Sequence, residues 1–431
     1  LVHWGDSGVV SSTGVPIKVA EALRIPKVDR SVDQHRTVSD YYVANSGEMV
    51  DLVNAIKAKE FQRTTVFETA PETVVSKSVK PRVIRILPRG NWMDDSGDVV
   101  QPAIPKFLGT LDTVDRTPTR LDLADWLCRP DNPLTARTMV NRLWGLLFGR
   151  GICASVDDFG GQGTYPSYPD LLDALAIEFV ESGWDIKQIV RSIVTSNAYQ
   201  RSSTPSSEML ERDPANDLFA RQGRFGVDAE VVRDGALSIS GLLIESVGGR
   251  SVRPYQPAGY YGQLNFPRRK YVADVGDNQY RRGVYTHWQR TFLHPMLKAF
   301  DAPSREECTA ARARSNTPLQ ALVLLNDPTF VEAARVFADR IMQEGGDTVD
   351  QRMSWAYQQA VSRLPSPKIA EQLHTVYDQH LTHYRANSAE AEKLIALGGI
   401  DVKNDPQTAE RAAWTGVTRV ILNLHETITR Y

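Results

Sequence analysis

"TPLQALVLLNDPTFVEAARVFADRIMQEGG", residues 317–346, decides the fold class. Thr317 precedes Pro318 and is followed three residues later by Gln320, the pattern of a capping box with proline at the first helical position. A short buried helix is therefore expected to start at Pro318. Asp327 and Pro328 open another at once, in which Phe330, Ala334, Phe337 and Ile341 recur at helical spacing until Gly345–Gly346 ends the run.

The same punctuation recurs along the chain. Ser31 with Gln34 opens "SVDQHRTVSDYYVA", and Thr119 with Asp122 opens "RLDLADWLC", which Pro130 stops. Thr135 is expected to cap "ARTMVNRLWGLLFG", where Met139, Val140, Leu143, Trp144, Leu147 and Phe148 form a wide apolar stripe. Ser167 with Asp170 heads "YPDLLDALAIEFVESG", and Asp185 heads "IKQIVRSIVTS". Asp228, Ser366 and Asp405 head three further segments, so at least ten helices are expected. Strand signals are few: "PRVIRILPRG" (81–90) and "RRGVYTHWQ" (281–289) carry β-branched and aromatic residues between turn formers. The expected fold is mainly α, a multi-helix globular domain with a small β element and long irregular loops.

With 431 residues the chain has room for two or three domains. The expected division is an N-terminal helical segment with a short β/loop region over 1–114, a helical domain over 115–375, and C-terminal helices over 376–431 packing on it. The loop 250–282 runs without helical periodicity, and a loop of that length in a compact domain is usually functional or disordered.

A formal charge of −2 argues against a generic nucleic-acid binder, which would show a basic excess. No apolar run approaches the roughly 18 residues of a membrane span. Cys128, Cys153 and Cys308 are an odd number, so at least one is free or pairs with another chain. The chain begins at Leu1 with no charged-then-apolar leader, which reads as a fragment or a processed product.

No nucleophile elbow, phosphate loop or dinucleotide fingerprint is present, and "GGQG" at 160–163 has the spacing of a turn. His374, His380 and His383 share one expected helix; no carboxylate or cysteine of that stretch completes a metal set, so a solvated face is expected and no metal. His425 beside Glu426 is expected at a helix C-terminus, where it meets the dipole favourably. The pairs Asp94–Asp95 and Asp157–Asp158 lie in Gly-rich loops and read as turns.

Arginines carry the remaining signal. Arg305, Arg312 and Arg314 precede a helix N-terminus that is itself partly positive, so they need negative partners. Asp301, Glu306 and Glu307 are close enough in sequence to supply them. The competing reading is an anion- or glycan-binding set of Arg281, Arg282, Arg290, Arg305, Arg312 and Arg314, with Tyr285 and Trp288 (and Tyr260 and Tyr261) as flat platforms for a sugar ring.

"MVNRLWGLLFGRGICASVDDFGGQGTYPSYPDLLDALAIEFVESGWDIKQIVRSIVTSNAYQRSS" and "YRRGVYTHWQRTFLHPMLKAFDAPSREECTAARARSNTPLQALVLLNDPTFVEAAR" resemble, in order, the two halves of a planctomycete-type C-terminal domain family of uncharacterised function, over roughly 115–375. The resemblance implies an exported bacterial protein in a periplasmic or cell-envelope setting, often with a cytochrome c-like N-terminal module. This chain has no Cys-x-x-Cys-His site, so no cofactor is expected in it, and a c-type haem would sit on an upstream module or a partner. The family brings no catalytic residues to transfer. Two functions are expected from this. One is a non-catalytic helical module, docking or scaffolding other domains or subunits of an envelope complex beside a cytochrome c-like partner. The other is a polysaccharide-active enzyme or a binding domain for anionic (sulfated or uronate) glycans.

Overall fold

The computed structural model describes residues 14–70, 74–77, 79–113, 115–263, 270–289, 292–397 and 407–431. Sixteen helices and two two-stranded antiparallel sheets occur among them, so the protein is mainly α, as the helix punctuation predicted. The chain divides into two compact units, Leu1–Arg82 and Val83–Tyr431. No helix among the described residues is long and apolar enough to cross a membrane.

The first unit holds α1 (Ile17–Arg24), α2 (Val32–Asn45) and α3 (Gly47–Thr69). Ser31 and Gln34 close the expected capping box on α2, each side chain accepting from the other's backbone N–H. Val19 and Ala22 of α1 are its buried apolar residues, while Leu52, Ile56, Phe61, Val66 and Phe67 of α3 are exposed.

The second unit begins with β1 (Ile84–Arg85) paired to β2 (Val99–Val100), so the strand expected over 81–90 shrinks to two residues. Then come α4 (Arg120–Leu127), α5 (Thr135–Phe148), α6 (Pro169–Glu181), α7 (Ile186–Val194), α8 (Ser207–Arg212) and α9 (Ala229–Ser240). They are followed by α10 (Pro295–Ala299), α11 (Pro318–Asn326), α12 (Pro328–Glu344), α13 (Val349–Val361), α14 (Pro367–Ala386), α15 (Ser388–Ile395) and α16 (Thr408–Leu422). A second ribbon joins β3 (Phe225–Gly226) to β4 (Thr429–Arg430).

Four buried apolar clusters lie among the described residues of this unit, and two of them are built on α5 and on α12 with α16. Val140, Trp144 and Phe148 of α5 meet Leu172 and Phe179 of α6 and Ile189 and Ile193 of α7. The stripe read from the sequence is thus half core and half flank, because Met139, Leu143 and Leu147 are only partly buried. The other centre lies between α12 and α16, where Phe337, Ile341, Trp414, Val417 and Ile421 are fully buried. Thr418 donates its hydroxyl to the Ala334 carbonyl at 2.7 Å, locking the two helices in register. Gly416 lets α14 approach α16, since a Cβ there would lie 2.6 Å from the His380 ring.

Several expected helix starts moved for local reasons. Thr135 lies inside α5; the free N–H groups of Leu134 and Thr135 are taken by the Asn132 side chain at 3.0 and 3.2 Å. At α6 the cap position belongs to Tyr168 rather than Ser167, with Pro169 first in the helix. Asp405 lies outside the described residues. The strand expected over 281–289 is absent: Gly283–Tyr285 form a 3-10 turn flanked by isolated bridges at Arg281 and Thr286. Tertiary contacts override β propensity there. Arg233 of α9 donates to the carbonyls of Gln279 and Arg281, and the Asp234 carboxylate accepts from the Gly283 N–H at 2.6 Å.

His294, at the N-cap of α10, is almost wholly buried, and its Nε2 lies 2.7 Å from the Tyr255 carbonyl. Burial pushes its pKa down to about 4; the Tyr255 carbonyl opposes that shift and the Arg233 charge adds to it. The unfolded chain therefore takes up the extra proton first as pH falls. The stabilisation is complete above pH 6.5 and is lost progressively towards pH 4. Urea unfolding at pH 7.5 and 4.5 should show a fall about 2–3 kcal/mol larger for wild type than for His294→Gln. Equal falls in both proteins would contradict this account of His294.

Candidate anion-binding groove

The last carbonyls of α5 have no partners within the helix and sit at the negative end of its dipole. Two arginines distant in sequence take them. Arg430 of β4 donates to the Leu147 carbonyl at 2.5 Å, and Arg314 donates to the Gly149 carbonyl at 3.3 Å. Both guanidiniums lie over the Phe225 ring of β3, Arg314 at 4.6 Å and Arg430 at 5.8 Å from its centroid. Arg430 also reaches the Tyr199 hydroxyl. The corner closes only because residue 149 is glycine, at φ 83°: a Cβ there would lie 2.3 Å from the Phe225 ring.

Arg312, two residues before Arg314, is held by the start of α9. It donates to the Glu230 carboxylate at 2.6 and 3.3 Å and lies 3.5 Å from Asp228. Burial works against its charge, but the bonded Glu230 carboxylate and the nearby Asp228 together outweigh burial and raise its pKa. Asp301, one of the nearer carboxylates expected to neutralise it, instead accepts from the backbone N–H and hydroxyl of Ser315, both at 2.7 Å, and so fixes the 312–316 segment.

Between this segment and α5 lies an open cavity of about 540 Å³, lined by Arg142, Arg150, Arg312, Arg314 and Asp228. Arg150 pairs with Asp217 and Arg312 with Glu230. Arg142 is exposed and has no hydrogen-bonding or ionic partner among the described residues, and Arg314 has no carboxylate partner there. Two positive charges therefore face the groove uncompensated. A guanidinium fork in that situation suits a carboxylate, sulfate or phosphate oxygen pair.

The other expected site residues lie elsewhere or act as latches. Arg281 is buried and donates to the carbonyls of Arg250 at 3.1 Å, Ser246 at 3.0 Å and Gly248, while stacking 4.0 Å over Tyr285. The Tyr285 hydroxyl accepts from the Gly248 N–H at 2.8 Å. This set pins the loop after α9 and offers no open donor to a ligand. Arg282 is exposed, 3.8 Å from Asp234. Arg305 covers the Trp288 ring at 3.5 Å, so that ring is no bare platform, and the Trp288 indole N–H goes to the Ser304 carbonyl at 3.1 Å. Arg290 lies outside the described residues. Among the described residues of the expected set, Arg312 and Arg314 are the ones that meet in the groove. Arg142 and Arg150 were missed, because an arginine on the polar side of an amphipathic helix, or just past its end, carries no sign of what it faces.

The remaining candidates have ordinary partners. His374 lies 2.7 Å from Asp350 and His383 lies 2.8 Å from Glu390, a carboxylate on the next helix, whereas His380 packs against Gly416. No cluster of three ligating groups occurs among the described residues. His425 sits on a 3-10 turn beyond α16, its Nδ1 2.8 Å from the Tyr431 hydroxyl. Asp94 and Asp158 accept from the N–H of Ser96 at 3.0 Å and of Gly160 at 2.7 Å, closing turns. All three cysteines are free, with Cys153 buried and Cys128 and Cys308 exposed.

No curated protein and no solved structure matches this chain. A family model described as PSD1, protein of unknown function (DUF1553), matches residues 119–377, more than half of the chain including α5, α9 and the arginine segment, and the protein belongs to that family.

Proposed function

We propose that this chain is a binding module for anionic glycans, with the groove between α5 and residues 309–314 as its site. The observation that carries the reading is the pair Arg142 and Arg314, two uncompensated guanidiniums facing one open cavity. A uronate carboxylate or a sugar sulfate presents the oxygen pair such forks bind, at about 1.5–3 kcal/mol for each charged hydrogen bond.

A second reading is a scaffold role in an exported bacterial assembly beside a cytochrome c-like partner. It is supported by the planctomycete-type resemblance and by the exposed Leu52, Ile56, Phe61, Val66 and Phe67 of α3, apolar surface that a partner would cover.

The test is thermal unfolding of the protein against sulfated and uronate oligosaccharides at low salt. A ligand at about 100 times its Kd should raise the midpoint by several degrees, and Arg142→Ala with Arg314→Ala should abolish the rise. A flat response across the panel would remove the glycan reading. Stabilisation by a purified c-type cytochrome instead would favour the scaffold.

A further inference from the structure

Beyond the wall formed by Gly149 and Arg150 lies a second open cavity of about 390 Å³, which shares those two residues with the first. It is lined by Arg221, Arg224 and Ser203, with Phe225 at the shared corner. Arg221 is buried and spends its guanidinium on the carbonyls of Asp213 at 2.9 Å and Pro214 at 2.8 Å. Arg224 is exposed, held by the hydroxyls of Ser203 at 3.3 Å and Thr204 at 3.2 Å, and has no carboxylate partner among the described residues. Two adjoining cavities thus each carry cationic side chains that no carboxylate neutralises, with Arg150 on the ridge between them.

From this geometry we infer that the second cavity is a further acid-binding subsite of the same groove, with Arg224 as its binding residue, and that the ligand is an oligomeric acidic saccharide spanning both. The inference rests on the proposed glycan-binding reading. A single acidic group can occupy one cavity only; a chain with an acid on each sugar engages Arg142 and Arg314 in one and Arg224 in the other. Once the first acid is bound, the second binds at the high local concentration set by its tether. The lining disfavours single-stranded nucleic acid, whose binding relies on bare aromatic faces for its bases. Here the Phe225 ring carries Arg314 and Arg430, and the Tyr431 ring carries Arg224 at 5.1 Å.

The test compares galacturonate with a long oligogalacturonate by calorimetric titration, since a tether too short to span both cavities gives no gain. The oligomer should bind at least about tenfold more tightly than the monomer, beyond the statistical factor from its extra acids. In Arg224→Ala, checked for an unchanged melting temperature without ligand, the ratio of the two affinities should fall to that statistical factor. If monomer and oligomer differ only by that factor in wild type, or Arg224→Ala keeps the full ratio, the second subsite is wrong while the first remains. If neither acid binds, both readings fail. Equal affinity for a single-stranded oligonucleotide of the same charge would overturn the ligand class.

Discussion

Arg233→Ala is expected to cost about 3–5 kcal/mol, a large fraction of the roughly 5–15 kcal/mol that keeps a domain folded. Arg233 is fully buried in α9 and donates to the carbonyls of Arg281 at 2.6 Å and Gln279 at 2.5 Å, with Asp234 3.6 Å away. Burial lowers its pKa, and the carboxylates of Asp234 and Asp327 oppose that. Removing the guanidinium would strand two carbonyls and leave the Asp234 carboxylate, itself raised in pKa by burial, without its buried counter-charge. The 276–286 segment should come loose from α9. Urea unfolding gives the energy, and limited proteolysis should place the first cut between 276 and 286. A loss under about 1 kcal/mol, with the segment still protected, would show that the neighbours re-satisfy themselves.

Gly149→Ala should destabilise the protein by about 2–4 kcal/mol, through two separate effects. A left-handed residue with a Cβ costs roughly 1 kcal/mol or more relative to glycine. The added Cβ, 2.3 Å from Phe225, must then displace the ring on which Arg314 and Arg430 rest. Because Arg314 also lines the groove, affinity for an acidic saccharide should fall in the same variant. Calorimetric unfolding together with a galacturonate titration reads both. Unchanged stability would mean that the corner has room that the close packing of Gly149 and Phe225 denies.

What could be read from the sequence was what a few neighbouring residues decide. The pairs Thr317–Gln320, Ser31–Gln34 and Thr119–Asp122 close within one helical turn: in all three the side chain of the later residue accepts from the N–H of the cap residue, and at Ser31 the hydroxyl completes the reciprocal box. Asp185 and Ser366 likewise cap α7 and α14 through their side chains. The misplaced start of α5 is the same grammar misread by three residues, Asn132 supplying the oxygen that Thr135 was expected to supply. The 281–289 segment failed for a different reason. Its β-branched and aromatic residues are ordinary strand formers, and Arg233 and Asp234, about fifty residues upstream, settle its conformation.

The groove depends almost entirely on such long-range choices. Arg312 and Arg314 read in the sequence as charges in need of negative partners; Arg312 has one in Glu230, whereas Arg314 meets only a neutral carbonyl and the Phe225 ring. Their partners are Glu230, 82 residues away, and the Gly149 carbonyl, 165 residues away. Nothing local distinguishes those from the nearer Asp301, Glu306 and Glu307. Arg142 was invisible for the opposite reason: it sits where an amphipathic helix normally places a solvated charge.

Whether Arg142 and Arg314 form an anion site can be seen in crystals soaked in selenate. An anomalous selenium peak is expected in the cavity beside α5, with oxygens about 3 Å from both guanidiniums. Selenate bound at other surface arginines while that cavity stays empty, or Arg142 and Arg314 turned onto protein carboxylates, would contradict it.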